Sequence, residues 1–423
     1  MPNIKVVIAG AGFGGLGAVK KLAKNKKIEI TLIDKTNHHL FQPLLYQVAS
    51  AALGPTDIAI PTRMLTTAMK NVTVLMGEVS GIDKDNKVLF CRCGRALKYD
   101  YLILALGAIT NYYGNDHWEK YSTGLKSITD AIRIRNRLLL SFEKAEVEGI
   151  GGHNASDALS FVIIGGGPTG VELSGAIAEL SHRIIRKDFR RIDPALSLIT
   201  LIEAGPRLLP SFSPVSSEIA RTQLEKRGVD VLLSAKVQDI DGKGVRLADK
   251  CIASKNIIWT AGVRANPFGA ELKVPLDNKG RVRVNEYCSL PGYPEIFIIG
   301  DMASFGADTR KPLPEVSPVA MQQGRYAAGT ILDMAGNKKI LPFKYVDKGS
   351  MATIGRNDAV AEIKDIHLSG FTGWVTWLAV HLFYQVGFKN KIAILITWVW
   401  SYLTNRAAAR LIQPPVEDVP AGE

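Results

Sequence analysis

Two glycine-rich loops carry the most specific chemistry that the sequence predicts. Each has the spacing Gly-x-Gly-x-x-Gly and is followed further along the chain by an acidic residue. Glycines at this spacing let the backbone approach a pyrophosphate, and the acid can bind a ribose hydroxyl. The residues are Gly10, Gly12, Gly14, Gly15 and Asp34 for the first loop, and Gly165, Gly167, Gly170 and Glu203 for the second. Two such loops predict two facing dinucleotides, which is the arrangement that a flavin needs to accept hydride from a nicotinamide.

The elements around the first loop have the order that nucleotide binding requires. A nearly unbroken apolar run from Lys5 to Ala9 predicts a buried strand, and a helical pattern begins after Gly15. A second predicted strand, Glu29 to Ile33, ends at Asp34. A glycine-rich turn without a ligand is the alternative, and the strand, helix and acid together disfavour it.

The second loop repeats this order. Residues 161–164 predict a strand, Val171 to Leu180 a helix, and Leu198 to Ile202 a strand that ends at Glu203. A carboxylate at this position accepts a bond from a free ribose hydroxyl and repels a phosphate, which favours NAD over NADP. Arg207 offers the opposite interpretation, because it could bind a phosphate.

Between Gly170 and Glu203 the chain contains an unusually long basic stretch. We interpret it as a longer, solvated helix face in preference to a membrane-facing or partner-facing patch; its residues are His182, Arg183, Arg186, Lys187, Arg190 and Arg191. Glu172 is expected in the first turn of the second helix. The helix dipole would stabilise its charge there, or it lies near the nicotinamide or flavin ring, where it would orient a substrate or accept a proton.

Two further strands are predicted to complete the first nucleotide site. One runs from Tyr101 into a small-residue turn at Gly107, and the other runs from Glu295 to Gly300-Asp301. Ligands of α/β sheets bind at the carboxyl ends of strands. Asp301 is therefore a candidate to bond the ribityl chain of a flavin.

This order of motifs resembles the two-dinucleotide flavoproteins, and the details are similar to type II NADH dehydrogenases. The similar segments are Asn37 to Tyr46, Gly167 to Glu172, Ile202 to Pro210 and Ala320 to Gly324. The resemblance implies that FAD and NADH bind, that a membrane quinone is reduced and that no protons are pumped. Two departures are Ala105-Leu106-Gly107 in place of Ala-Thr-Gly, and Pro318 where the family often has glutamine.

The resemblance also implies where the quinone is reduced. We expect the quinone to approach near Gln322, Gln323 and the loop from Phe41 to Tyr46, with Glu172 as a third catalytic candidate. Residues 38–60 contain no cysteine, so the cysteine pair of a disulfide reductase is missing. Cys91, Cys93, Cys251 and Cys288 lie in no flavin-side motif, although Cys288 is the one to check, and their small number predicts a reducing compartment.

The net charge of +12 and the C-terminal segment predict attachment to an anionic membrane. Two apolar runs, Gly370 to Phe388 and Ile392 to Leu403, hold four of the six tryptophans. They are open to three interpretations: a transmembrane hairpin, a buried helix pair that could form a homodimer interface, and a monotopic anchor. We favour the anchor, because its flanks are basic, at Lys389, Lys391, Arg406 and Arg410.

One face of the first run carries four aromatic or imidazole side chains, Trp374, Trp377, His381 and Tyr384. Their spacing is typical of a packing stripe, and the alternative is that His381 lines a quinone entrance. We expect a peripheral protein on the cytoplasmic face of the cell membrane, with no nucleic-acid partner and no metal.

The predicted fold class is α/β, with two Rossmann-like, doubly wound dinucleotide-binding domains and a C-terminal helical membrane-anchoring segment. The predicted FAD domain comprises residues 1–115 and 285–335, the NAD domain 116–284, and the cap and anchor 336–423. Two other functions remain open at this point. One is a soluble NAD(P)H-dependent reductase of a small redox protein, and the other is a non-catalytic binding protein that has kept the fold.

Overall fold

The computed structural model describes residues 3–149, 158–306, 312–406 and 409–413. Its contacts form two compact units. The first unit comprises Met1–Leu40, Ile60–Ile109 and Val263–Lys348, and the second comprises Phe41–Ala59, Thr110–Gly262 and Gly349–Glu423. These bounds differ from the domain boundaries expected from the sequence, and the functional assignment of the domains stays a prediction.

The described residues form ten α-helices. They are α1 Phe13–Leu22, α2 Leu45–Ala49, α3 Pro55–Ile58, α4 Thr62–Thr66, α5 Ile128–Glu148, α6 Pro168–Glu179, α7 Pro214–Lys226, α8 Ser317–Ala335, α9 Gly370–Tyr384 and α10 Phe388–Thr404.

The strands are short and numerous. They are β1 Ile4–Ala9, β2 Ile28–Asp34, β3 His38–Leu40, β4 Ala59–Pro61, β5 Val72–Met76, β6 Val79–Asp83, β7 Val88–Cys91, β8 Ala96–Lys98, β9 Tyr101–Leu104, β10 Ala108–Thr110, β11 Ser122–Gly124, β12 Ser160–Ile164, β13 Leu198–Ile202, β14 Val229–Leu232, β15 Asp239–Asp241, β16 Gly244–Arg246, β17 Cys251–Ala253, β18 Asn256–Trp259, β19 Val263–Ala265, β20 Val282–Arg283, β21 Ser289–Leu290, β22 Tyr293–Ile298, β23 Ala303–Ser304, β24 Ser350–Gly355, β25 Asp358–Ile363 and β26 Ile366–Ser369.

A six-stranded sheet forms the centre of the first unit, in the order β21-β22-β9-β1-β2-β5. The strands β22, β9, β1, β2 and β5 are parallel neighbours, so their carboxyl ends lie along one edge. One face packs against α1 and α8, and the other against the antiparallel sheet β6-β7-β8. Helices therefore cover one face only, and a hairpin layer covers the other.

Close contact between α1 and α8 depends on small residues. A Cβ added at Gly324 would lie 2.1 Å from the carbonyl oxygen of Gly14, so only glycine fits there. Pro318, the departure from the family pattern, lies in the first turn of α8. Proline is favourable at this position because the first backbone N–H groups of a helix have no intrahelical partner. The substitution is therefore compatible with the helix.

The second unit contains a five-stranded parallel sheet in the order β11-β18-β12-β13-β14. The ring of Phe142 on α5 packs on Phe161 of β12, with 5.7 Å between the ring centroids. The helix α5 begins with a capping box, in which Ser127 and Asp130 bond each other's backbone N–H, and it ends at left-handed Gly149. These signals fix the helix between residues 128 and 148.

The basic stretch departs from the helix face that we predicted. After α6 a single π-helical segment, Leu180–Ile184, ends the helix, and residues 185–193 form turns. Glu146 of α5 fixes these turns, since its carboxylate accepts N–H bonds from Arg190, Arg191 and Ile192 at 2.9–3.2 Å. The stretch is solvated, as predicted, but the predicted helix is wrong beyond Ile184.

The C-terminal part begins with a sheet that the sequence analysis did not predict. The strands β24, β25 and β26 are antiparallel, and β24 lies against α6 of the same unit. A Cβ added at Gly175 would lie 1.9 Å from the carbonyl oxygen of Ile354, which shows how closely the two elements approach. The two apolar runs then form α9 and α10.

The transmembrane hairpin is not supported. Among the residues that the structure describes, no helix has both the length and the apolar composition required to span a bilayer. A fully buried helix pair is also excluded within this chain, because many large apolar side chains of the two helices are exposed. They are Phe371, Val375, Phe383, Tyr384, Phe388, Ile392, Leu395, Ile396, Val399, Trp400, Tyr402 and Leu403.

Candidate active site

Both glycine loops have the geometry of a phosphate cradle. No atom lies within 4 Å of a Cβ added at Gly12 or Gly167, so open space adjoins both loops. These two residues are the N-caps of α1 and α6, and no side chain caps either helix. The first N–H groups of each helix thus remain available to an anion.

The outer glycines of each loop are required for a different reason. A Cβ added at Gly15 would lie 1.8 Å from the Gly10 carbonyl oxygen, and one added at Gly170 would lie 1.9 Å from that of Gly165. Gly14 instead faces α8, where its Cβ would approach Ala320 O at 3.2 Å. The two loops are therefore near copies of one another, each in its own unit.

The acidic residues close the loops in the same way. Asp34 Oδ2 accepts the N–H of Ala11 at 2.6 Å, and Glu203 Oε2 accepts the N–H of Gly166 at 2.6 Å. The second oxygen of Glu203 accepts the N–H of Gly205, also at 2.6 Å. Each carboxylate lies at the end of the strand after its loop, which is the position of a ribose-binding acid.

The predicted residues of the first site lie along one sheet edge. Asp34 is the last residue of β2, Gly10 directly follows β1, and Gly107 comes shortly after β9. Asp301 comes after β22, in the turn Gly300–Met302. Gln323 holds this turn, because its Oε1 accepts the Gly300 N–H at 2.7 Å. Gln323, which we predicted as catalytic, thus holds the turn that contains Asp301.

His39 is a member of the first site that the sequence analysis missed. It is buried, and its Nδ1 lies 3.0 Å from the Ala11 carbonyl oxygen, which can only accept. Burial lowers the pKa of His39 to about 4, so the ring is neutral and its buried Nε2, which has no partner among the described residues, is an acceptor. The open cradle at Gly12 and this acceptor fit FAD.

Gln322, the other glutamine predicted to lie near the quinone, is also hydrogen-bonded within the protein. The amide of Gln322 pairs with both backbone groups of Val346, at 2.9 and 3.0 Å. Neither glutamine amide is therefore without a protein partner. The catalytic roles of Gln322 and Gln323 stay predictions.

In the second unit, the guanidinium of Arg207 is already hydrogen-bonded within the chain. Its two terminal nitrogens donate to the carbonyls of Phe212 and Pro210, at 2.9 and 2.8 Å. Glu203 remains as the charged group beside the loop. The preference of this site for a ribose with free hydroxyls stays a prediction.

Glu172 is the most unusual ionisable group of the second unit. It lies in the second turn of α6, so the predicted position in the first turn is wrong, because the helix begins already at Pro168. Its Oε1 accepts bonds from the Trp377 indole at 3.3 Å and the Thr353 N–H at 3.4 Å. Burial raises the pKa of Glu172 to about 8, so its carboxyl is mostly protonated at neutral pH.

Aromatic side chains from α9 and α10 cover this carboxyl group. Trp377 is buried, and its ring stacks on that of His381 with 4.0 Å between the ring centroids. The ring centroid of Trp398 lies 5.9 Å from that of Trp377. His381 Nδ1 bonds the Trp377 carbonyl, and burial lowers the pKa of His381 to about 4. The predicted packing stripe is present at Trp377 and His381, and the quinone-entrance role of neutral His381 stays a prediction.

The segment Phe41 to Tyr46, expected as a loop, is mostly helical. It forms a 3₁₀ turn, Gln42–Leu44, and the start of α2. The ring of Phe41 lies 6.4 Å from that of His381, and the ring of Tyr46 lies 6.3 Å from that of Trp377. The segment therefore borders the Glu172 cluster, which comprises Glu172, Tyr46, Trp377 and His381.

A short hydrogen-bond chain joins the Glu172 cluster to α10. The Trp398 indole N–H donates to Gln47 Oε1 at 2.8 Å, and Gln47 Nε2 donates to the Tyr46 hydroxyl oxygen at 2.9 Å. Gln47, Thr353 and this role of Trp398 were not predicted from the sequence. The only local signal was the concentration of tryptophan in the last two helices.

The cysteines give no sign of redox chemistry. Cys288 is buried, and burial raises the pKa of its thiol, which disfavours a reactive thiolate. Cys91 is buried in β7, whereas Cys93 and Cys251 are exposed. The thiol that we singled out for checking is therefore an inert one.

Comparisons with known proteins agree with this geometry. The family described as pyridine nucleotide-disulphide oxidoreductase matches residues 4–324, and the NDH2 C-terminal domain matches residues 348–407. A type II NADH:quinone oxidoreductase of Mycobacterium tuberculosis is 42% identical over 95% of this chain and 89% of its own. One from Staphylococcus epidermidis is 28% identical over 86% of this chain and 91% of its own.

Solved structures share the fold. The structure of NDH2 from Plasmodium falciparum in complex with NADH has a TM-score of 0.87 and 22% identity, covering 96% of this chain and 99% of its own. The sulfide:quinone oxidoreductase of Aquifex aeolicus has a TM-score of 0.70 and 19% identity, covering 96% and 92%. With both nucleotide loops, the C-terminal domain and a relative of 42% identity, the chain belongs to the type II NADH:quinone oxidoreductases, within the pyridine nucleotide-disulphide oxidoreductase family.

Proposed function

We propose that the enzyme oxidises NADH and reduces a membrane quinone by two electrons, with FAD as its cofactor and without pumping protons. The observation that carries this proposal is the pair of matching nucleotide loops, one in each unit, together with a protonated, buried carboxyl group on the helix that follows the second loop. The net reaction is NADH + H⁺ + quinone → NAD⁺ + quinol. One proton per turnover must therefore come from the medium.

The first unit would hold FAD. The N–H groups after Gly12 would bind its pyrophosphate, Asp34 its ribose and Asp301 its ribityl chain, while His39 Nε2 offers an acceptor beside the loop. Bound FAD would supply the two-electron chemistry that connects NADH oxidation to quinone reduction. Gln323 positions the Asp301 turn through the Gly300 N–H.

The second unit would hold NADH. The N–H groups after Gly167 face the pyrophosphate, and Glu203 binds the adenosine ribose. Two features support a preference for NADH over NADPH. Glu203 would repel a ribose phosphate, and Arg207 is already bonded to two carbonyl groups.

Glu172 would supply the proton that the quinone takes from the medium. A proton donor is most effective when its pKa lies near the working pH, and a pKa of about 8 satisfies this condition. Its Oε1 is fixed by two donors, so the carboxyl group has one orientation. We also propose that the quinone approaches α8 near Gln322.

Membrane attachment would use the exposed apolar faces of α9 and α10, on the cytoplasmic face of the cell membrane. Lys389 and Arg406 are exposed at the two ends of α10 and suit an anionic lipid surface. The other two basic residues predicted to flank the anchor are bonded within the chain. Lys391 donates to the Phe383 carbonyl, and Arg410 pairs with Asp188. A homodimer through the same faces is the alternative use of this surface.

The decisive experiment is anaerobic. Purified protein should be yellow, should bleach when NADH is added, and should regain its colour when a benzoquinone carrying one isoprene unit follows. NADPH at the same concentration should bleach it more slowly. Protein that folds without retaining a flavin, or that bleaches but is not reoxidised by the quinone, would contradict the proposal.

A further inference from the structure

The buried chain Trp398-Gln47-Tyr46 has a direction that its chemistry fixes. An indole nitrogen can only donate, so the side-chain atom of Gln47 that faces Trp398 must be its oxygen. The Gln47 nitrogen then faces Tyr46 and donates to its hydroxyl oxygen. The Tyr46 oxygen therefore accepts, and its own proton is left to be donated elsewhere.

That proton has no acceptor in the part of the chain that the structure describes. Among the described residues, the Tyr46 hydroxyl takes part in one hydrogen bond, which it accepts from Gln47. Tyr46 is 5% exposed, and Glu172 is the carboxyl group that raises the pKa of Tyr46 most. A buried donor without an acceptor is costly, and a bound group that accepts its hydrogen bond removes this cost.

The neighbouring residues contain few other charges. Glu172 and Glu179 of α6 are the two carboxyl groups that raise the pKa of Tyr46, and burial raises it more than either. From α9, His381 is stacked on Trp377 and is neutral because burial lowers its pKa. Tyr46 therefore keeps its proton throughout the working pH range and acts as a donor.

We propose that the Tyr46 hydroxyl donates a hydrogen bond to a carbonyl oxygen of the quinone as that oxygen gains negative charge, and that Gln47 and Trp398 hold it in this role. The proposal rests on the proposed function. In the balanced reaction, NADH supplies two electrons and one proton, Glu172 passes on the proton from the medium, and Tyr46 keeps its own. A fixed donor aimed at a developing oxyanion lowers the barrier because it needs no reorganisation.

The test compares variants that differ in this chain alone. Tyr46→Phe removes the donor, and Trp398→Phe removes the group that orients Gln47, so that its amide is free to turn its oxygen toward Tyr46. Trp118→Phe is the matched control, because the Trp118 indole also donates a hydrogen bond to a side chain, Asp239 at 3.0 Å, and lies outside both the Glu172 cluster and the last two helices. All three keep an aromatic ring, and the flavin content of each shows whether it has folded.

Each variant is assayed with NADH and two acceptors, the benzoquinone with one isoprene unit and ferricyanide. Ferricyanide takes up electrons without protons and has no carbonyl oxygen to stabilise. We expect Tyr46→Phe to lower kcat with quinone about 100-fold or more, as for the loss of one oxyanion donor, with the quinone KM and the ferricyanide rate within about twofold of wild type. Trp398→Phe should lower the same kcat by a smaller factor, about threefold to tenfold, and Trp118→Phe should not lower it.

The outcomes separate this inference from the proposed function. A wild-type protein that reduces no quinone defeats the proposed function. An active wild type with a Tyr46→Phe variant of equal quinone kcat defeats only the role of Tyr46. If Trp398→Phe lowers the quinone and ferricyanide rates by the same factor, its role is general stability and the orienting chain is wrong.

Discussion

The Glu172 carboxyl group shows how burial creates a proton donor at the level of one residue. Its pKa rises from 4.5 to about 8, chiefly because burial disfavours the charged form. The two donors to Oε1 act in the opposite direction, and their hydrogen bonds are long, at 3.3 and 3.4 Å. Desolvation therefore outweighs hydrogen bonding at this site.

This raised pKa predicts a stability change with pH. A neutral Glu172 contributes its full stability below pH 4.5, and the contribution is lost as the pH rises through 8, because the unfolded chain releases the proton more readily. Glu172→Gln cannot ionise, so we expect wild type to lose about 3 kcal/mol relative to this variant between pH 6 and pH 9. Urea unfolding of both proteins at pH 6 and pH 9 measures the difference between their free energies of unfolding. The same difference at both pH values would refute the prediction.

The same variant tests the proton-donor role. Glu172→Gln should lower the quinone kcat about 100-fold or more, because glutamine cannot donate a proton to the product. Its ferricyanide rate should stay near that of wild type. A wild-type quinone rate should also fall as the pH rises above 8, and a pH-independent rate up to pH 10 would exclude Glu172 as the donor.

Sequence reasoning located some of these residues and missed others for a physical reason. Gly12 and Asp34 were identified because their requirement is local, namely a tight turn and an acid at the end of the next strand. Gln47 and the contact of Trp377 with Glu172 were not, because the two partners of each contact lie more than 200 residues apart in the chain. A single sequence contains no signal for such pairs.

At the level of elements, two helices can pack closely where a glycine of one lies against the backbone of the other. The α1–α8 contact contains Gly324, whose added Cβ would lie 2.1 Å from a backbone oxygen. Gly329 on the same helix would instead meet the end of the Lys21 side chain, at 2.4 Å. A flexible side chain can move away, whereas the backbone of a packed helix cannot.

These two glycines form a matched pair for a prediction. Gly329→Ala should be neutral or stabilise the protein by up to about 1 kcal/mol, since alanine is the better helix former. Gly324→Ala should destabilise it by about 2 kcal/mol or more and weaken flavin retention, because α1 must shift away from α8. Thermal unfolding and the flavin-to-protein absorbance ratio measure both effects. Equal behaviour of the two variants would show that the contact is not tight.

Element boundaries were harder to predict than element types. The strands that end at Asp34 and Glu203 were correct, because buried parallel strands have continuous apolar runs. The basic stretch after α6 was assigned to a helix because it continues the polar pattern, yet Glu146 binds its backbone N–H groups and holds it as turns. The contact that decides this conformation comes from another helix.

For the molecule as a whole, the exposed apolar faces of α9 and α10 are the largest departure from an ordinary soluble surface. Ile396 is 63% exposed and Leu403 is 73% exposed. Burying such a side chain in lipid is worth about 1.5–3 kcal/mol, and nearby basic residues add about 1 kcal/mol each on an anionic surface. Apolar contact therefore dominates the proposed attachment.

Binding to vesicles tests this surface. The double variant Ile396→Glu with Leu403→Glu should bind vesicles of phosphatidylglycerol at least tenfold more weakly than wild type, in a flotation assay. Leu341→Glu is the control, because Leu341 is 67% exposed in the first unit and should leave binding unchanged. A double variant that binds vesicles normally but changes from dimer to monomer would favour the homodimer use of the same faces.

The near identity of the two glycine loops has a pharmacological consequence. An analogue of ADP-ribose presents the adenosine and pyrophosphate groups that either loop accepts, since each offers an open helix N-terminus and one acid. Titration of the flavin-free protein with this compound should give a stoichiometry of two molecules per chain, whereas the flavin-loaded protein should bind one. Selective drugs against this enzyme would therefore need to contact something other than the adenosine ends.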